Sequence, residues 1–173
     1  MIFIKSAGRI WCAGGDPKDF QAAQKMESEG RAADNSAGAQ EFANRLKYVN
    51  ECPVPVVALV AGPVFGGGVG ICSVCDMVVC TERAAFQLSE VKLGVIPATI
   101  SPYVVQAMGV RNARRYFTTG EPINAATAEA IGLASEVVKD VKGLELCGNQ
   151  PVEWTRPAKL QTSLSRSHRR RFG

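Results

Sequence analysis

The stretch PVVALVAG (residues 55–62) constrains this chain more than any other segment. It is apolar and rich in β-branched residues, with no polar alternation, as a strand covered on both faces requires. The turn Pro63-Val64-Phe65 follows, then Gly66-Gly67-Gly68, then small residues to Cys75 that read as a short helix. DMVVCT (residues 76–81) is the next strand. Strand, turn, helix and strand within about thirty residues form a βαβ-type unit, which predicts an α/β fold.

Around that unit, residues 1–4 and 9–12 read as β structure leading into the turn Ala13-Gly14-Gly15. Asp16 is a good N-cap, and Pro17 suits the first helical position because its missing N–H costs nothing there. The expected helix runs over residues 16–26, followed by a polar surface loop over 27–38. Phe42, Leu46 and Val49 fall at helical spacing in a second helix over 39–50, which stops before Pro53. Downstream, a strand over 85–88 and a loop over 89–97 precede helices over 101–108, 111–118 and 125–131. A last strand covers 135–138. Beyond about residue 142 the periodicity dissolves, so we expect a core over 1–142 and a non-core, disordered tail over 143–173.

The chain of 173 residues has room for one domain, and 46% hydrophobic content with 21% charge excludes a disordered composition. The longest apolar run, residues 54–65, is interrupted by Gly62 and Pro63. It falls short of the roughly 20 residues of a spanning helix, so no membrane role is expected. The opening MIFIKSAGRIW lacks the layout of a signal peptide. The net charge of +4 is a property of the tail: residues 1–151 carry 14 Lys/Arg against 15 Asp/Glu, whereas 152–173 carry six against one. A basic end can touch phosphate. Without aromatic interleaving or a reading helix, however, nucleic acid is not an expected partner, and the tail reads as a solvated end.

Six cysteines sit mostly in apolar stretches and read as free buried thiols. Cys72-x-x-Cys75 has no second cysteine pair, and the sole histidine, His168, lies in the tail. Four metal ligands cannot be assembled from this set, so no metal is expected.

The sequence offers three chemical elements. Ala13-Gly14-Gly15-Asp16 joins a strand to a helix start, as does Gly66-Gly67-Gly68, and Glu90 follows a strand. Helix starts present unpaired N–H groups, and glycine lets a ligand approach the backbone. Two such N–H groups aimed at one point would hold a developing oxyanion, and a nearby carboxylate would move a proton at the adjacent carbon. The triplet is neither a Walker A loop nor a GxGxxG fingerprint. Taken alone, these glycines equally suit tight helix–sheet packing, and Glu90 equally suits a solvated loop.

The segments WCAGGDPKDF (11–20), PVVALVAGPVFGGGVGICSVCDMVV (55–79) and FQLSEVKLGVIPATISPYVVQAMG (86–109) together resemble the enoyl-CoA hydratase/isomerase, or crotonase, family. ARRYFTTGEPINAATAEAIGLASEVV (113–138) continues the resemblance in order and spacing. The block around SEVKLGVIPATISPYV is most similar to methylglutaconyl-CoA hydratase-like members, which act in branched-chain amino acid degradation. The resemblance implies an α/β spiral of ββα units, a homotrimer or dimer of trimers, and an acyl-CoA thioester as substrate. Coenzyme A would enter only as part of that substrate, with no separate cofactor. It implies that the N–H groups of Gly15 and Gly67 hold the thioester oxygen and that Glu90 is the catalytic carboxylate. Ala13, Asp16, Pro17, Lys18, Gly66 and Pro97 would line the bound thioester and its pantetheine arm. The implied reaction is water addition to a 2-enoyl-CoA or its reverse, with Δ3–Δ2 isomerisation or non-catalytic acyl-CoA binding as alternatives. Relatives occur in mitochondria and in bacterial cytoplasm.

The chain departs from the family at one chemical position. Two-carboxylate hydratases carry a Glu two residues after the glycine triplet, where this chain has Gly70. The family's N-terminal β-hairpin and C-terminal helices also have no counterpart in the sequence, so we expect a chain shortened at both ends.

Overall fold

Strand β2 (Val56–Val60) is the centre of the molecule, and all five of its residues are buried. Its neighbours are β1 (Ile2–Lys5) and β4 (Met77–Thr81), both parallel to it, with Ile2 opposite Val56 and Val57 opposite Met77. Strand β7 (Glu136–Val138) pairs parallel to β4 and completes a sheet ordered β1-β2-β4-β7. A smaller sheet is ordered β3-β5-β6, from β3 (Val64–Phe65), β5 (Ala85–Gln87) and β6 (Ile123–Asn124). The computed structural model describes residues 1–15 and 36–149. The described chain is α/β, as the apolar run at 55–62 predicts.

The helices are α1 (Ser36–Asn50), α2 (Gly67–Val74), α3 (Ser101–Thr119), α4 (Ala125–Ala130) and α5 (Val141–Asn149). Helix α2 is the crossover between β2 and β4. Because it is built from Gly, Val, Ile, Cys and Ser, it packs closely under the sheet, with Val69, Cys72 and Val74 buried. The main core gathers Leu46, Val60, Val64, Phe86, Leu88, Val104 and Ile123 around it. Truncating the fully buried Phe86 to Ala removes about 3–5 kcal/mol, typical of an aromatic in a closed core.

Three local expectations change. Residues 9–12 form no strand; only Cys12 bridges to Val64. The chain instead crosses the β2–β3 turn so closely that a Cβ on Gly62 would lie 2.2 Å from the Arg9 carbonyl oxygen. The Trp11 indole donates to the Leu59 carbonyl at 2.8 Å and seals this crossing. Helix α1 starts at Ser36, three residues before the expected position. The expected helix over 16–26 and most of the loop over 27–38 lie outside the described residues.

The two helices expected over 101–108 and 111–118 are both present within α3, separated where Gly109 takes the non-helical φ 77° and ψ 156°. The third change concerns the domain boundary expected at 142/143, which falls inside α5. Leu144 is buried there against Val57, Leu59 and Val79, so the core continues into this helix. A single buried leucine with Cys147 one turn later is too sparse a stripe to stand out in the sequence. The rest of the tail lies outside the described residues. Among the described residues, no helix is long and apolar enough to cross a membrane.

Candidate active site

Three chain segments meet at the N-terminal end of α2. Pairing between β3 and β5 sets Phe65 opposite Gln87, and the Gly66 N–H donates to the Gln87 carbonyl at 2.9 Å. Gly66 then turns with φ 50° and ψ −119°, a backbone shape that side-chain-bearing residues rarely adopt, and α2 begins at Gly67. From the other side, the Phe65 N–H donates to the Cys12 carbonyl at 2.9 Å, laying residues 12–15 against β3. Gly14, at φ 88°, rests on this turn: a Cβ there would be 3.3 Å from the Phe65 carbonyl oxygen. The Gly14 Cα in turn lies 3.8 Å from the Cβ position of Gly66. The backbones of Gly14 and Gly66 therefore abut, and the next residue of each is the predicted donor, Gly15 and Gly67.

Glu90 completes the corner. It opens a 3-10 turn (Glu90–Leu93) three residues past the end of β5, closed by Gly94 in the left-handed conformation. The Glu90 carbonyl accepts from the Val95 N–H at 3.2 Å, which pins the backbone of the turn. Its side chain points at the glycines, with Oε1 3.0 Å from the Cβ position of Gly66. Its Oε2 is buried and finds no hydrogen-bond partner among the described residues. Burial pushes the Glu90 carboxyl above its ordinary value, and its own backbone N–H pulls it partway back. A half-buried carboxyl with a raised pKa and an unsatisfied oxygen is suited to accept a proton and return it.

The structure thus brings Glu90 and Gly66 together and places Ala13 and Gly15 in the abutting loop, with Gly67 as the first residue of α2. Asp16, Pro17 and Lys18 lie outside the described residues. The Pro97 carbonyl accepts from the Ser101 hydroxyl at 2.7 Å and from the N–H groups of Ile100 and Ser101, starting α3. Sequence reasoning assigned Phe42 only to the core stripe of α1, yet its Cζ lies 3.1 Å from the Cβ position of Gly67. It missed Ile100 altogether, for no local pattern marks a residue just before a helix as a neighbour of Gly70.

All six cysteines are free, but only Cys72 and Cys80 are buried; Cys12, Cys52, Cys75 and Cys147 are half-buried. Burial holds Cys72 well above its ordinary value, pushes Cys75 up to about 12 and Cys80 up to about 11, so none is a thiolate near neutral pH. The Cys75 thiol donates to the Ile71 carbonyl. No group of three or more metal-ligating side chains comes together among the described residues. A cavity of about 1180 Å³ opens at the other end of α2, lined by Lys47, Glu51, Cys75, Asp76, Tyr103 and Gln106 among others. None of the corner's residues lines it.

Comparison with known proteins assigns the fold and the family. The sequence model of the enoyl-CoA hydratase/isomerase family matches residues 1–154. The chain is 41% identical over 97 residues to enoyl-CoA hydratase ACTT6 of Alternaria alternata, covering 56% of this chain and 33% of that protein. It is 29% identical over 149 residues to enoyl-CoA isomerase/hydratase fer4 of Mycosarcoma maydis, covering 85% of this chain and 52% of the relative. The chain thus spans between a third and about half the length of these curated relatives. Among solved structures, an enoyl-CoA hydratase/isomerase from Marinobacter aquaeolei superposes with a TM-score of 0.76 at 32% identity, over 87% of this chain and 58% of that one. An enoyl-CoA hydratase from Shewanella pealeana gives 0.75 at 36% identity, over 95% and 63%. The fold is the crotonase-like α/β fold, and the chain belongs to the enoyl-CoA hydratase/isomerase family.

Proposed function

We propose that this protein is an acyl-CoA hydro-lyase that adds water to a 2-enoyl-CoA thioester, or removes it. The observation that carries this reading is the Glu90 carboxylate, whose Oε2 is buried and without a partner among the described residues, beside the glycine corner that opens α2. In the forward direction Glu90 takes a proton from water as the water oxygen bonds to the β-carbon. The π-electrons move onto the thioester oxygen, where the N–H groups of Gly15 and Gly67 hold the enolate. The α-carbon then takes the proton back from Glu90, leaving the carboxylate as it began. Ala13, Gly66, Pro97 and the segment Asp16, Pro17 and Lys18 would line the thioester and pantetheine. Names of relatives that include enoyl-CoA hydratase support the substrate class.

Gly70 supports a second reading, Δ3–Δ2 enoyl-CoA isomerisation. One carboxylate suffices there: Glu90 removes the α-proton of a 3-enoyl thioester and returns it to the γ-carbon, with the dienolate held at the same two N–H groups. Incubation of the full chain with crotonyl-CoA and with a 3-enoyl-CoA separates the readings. Loss of the conjugated thioester chromophore marks hydration, and its gain marks isomerisation. Acyl-CoA binding without turnover of either would leave a non-catalytic binding protein. Assembly into trimers is part of the proposal; exposed apolar side chains at Val91, Leu93 and Ile96 (82% exposed), on the segment after Glu90, support it. Light scattering on the eluted protein measures it, and a monomeric mass contradicts it.

A further inference from the structure

We infer that Ile100 is a reaction-specificity residue, holding the hydration rate down to what Glu90 can support alone by closing the active face of α2 to a second ionisable side chain. This rests on the acid–base role proposed above for Glu90. Gly67, which follows the Gly66 turn, and Gly70 are three residues apart and so share one face of α2. In a helix each Cβ tilts toward the N-terminus, so a side chain at position 70 would lean back toward the glycine corner that opens α2. That path is blocked. A Cβ on Gly70 would lie 2.2 Å from the Ile100 Cγ2 and 2.8 Å from its Cβ, closer than side-chain atoms approach one another. Ile100 itself is 2% exposed and immediately precedes α3. Its N–H donates to the Pro97 carbonyl, and its own carbonyl accepts from Tyr103 and Val104 at 3.1 and 3.0 Å. Being β-branched and anchored at both backbone groups, it has no easy rotamer that clears the helix.

The chemical consequence follows from the number of proton-transfer groups. Isomerisation needs one base that takes a proton and gives it back. Hydration must activate a water and protonate the α-carbon, and a second carboxylate beside the first divides that work. The apolar contact between Ile100 and Gly70 occupies the volume a second acid would use.

The test compares the ratio of crotonyl-CoA hydration to 3-enoyl-CoA isomerisation in the full chain, in Ile100→Gly, in Gly70→Glu and in the double variant. Gly70→Glu alone is expected to lower the melting temperature by several degrees, and adding Ile100→Gly to restore it. The double variant is expected to raise the ratio at least tenfold and to add an ionisation to the pH–rate profile. Ile100→Gly alone, which only makes room for water, is expected to raise it less. Gly70→Glu melting like the parent, or an unchanged ratio in both Ile100→Gly and the double variant, overturns the inference. A double variant that does not fold while Ile100→Gly does also overturns it, since the pair is then not complementary. Failure of the underlying reading has a different signature, namely a parent chain whose turnover survives Glu90→Gln.

Discussion

The two ends of α2 are built from similar small residues but treat their polar groups in opposite ways. At the C-terminal end the Asp76 carboxylate accepts the Val56 N–H at 2.8 Å, and the Ser73 hydroxyl donates to the Val69 carbonyl at 2.8 Å. Polar groups there are matched, one pair within the helix and the other between the approach to β4 and the start of β2. At the N-terminal end Glu90 keeps a buried oxygen without a partner among the described residues, against backbone that only glycine can supply. An orphaned buried carboxylate is a cost that folding alone would not retain. The difference separates an end that holds the molecule together from the end proposed to act on a ligand, even though the large cavity is at the former.

Substitutions at the two ends should therefore separate activity from stability. Gly66→Val forces a β-branched residue to φ 50° and drives its side chain into Glu90. We expect about a hundredfold loss of kcat/KM with a stability cost of about 1–3 kcal/mol, read by steady-state kinetics and denaturant melts. Asp76→Ala at the opposite end leaves the Val56 N–H without its acceptor. It should cost about 1–3 kcal/mol of stability while kcat/KM stays within about threefold. Comparable losses of activity in both would erase the contrast.

A smaller effect distinguishes the ends by pH. Because the folded-state pKa of Glu90 is raised, the folded chain holds its proton more tightly than the unfolded chain. The associated stability is complete below the ordinary glutamate value and is lost as pH rises through the folded one. Glu90→Gln removes this dependence. Its melting temperature relative to the parent should therefore climb from pH 4 toward pH 8, and a gap that stays flat or narrows contradicts the raised pKa.

The sheet was legible in advance because burial on both faces leaves a continuous apolar signature at residues 55–62 and 76–81, and strand pairing needs nothing further. Gly109 was equally readable as a break between helical stripes. Gly14, Gly66 and Glu90 carried little signal of their own, because what matters there is contact across segments 12–15, 65–68 and 88–90, and resemblance to a family singled them out. The Ile100–Gly70 contact was invisible, since two residues thirty positions apart become complementary only once α3 is docked on α2. Helix α5 escaped notice for a related reason: Leu144 is core only because Val57, Leu59 and Val79 present the outer face of the sheet to it.

The central claim is that the buried carboxylate at the glycine corner moves the proton. Measuring kcat/KM of Glu90→Gln against the parent, on whichever enoyl-CoA the parent turns over, tests it most directly. Loss of about a thousandfold, with a melting temperature at pH 7 no lower than the parent's, is the predicted result. Turnover within a few-fold of the parent, in a variant that remains folded, would contradict it.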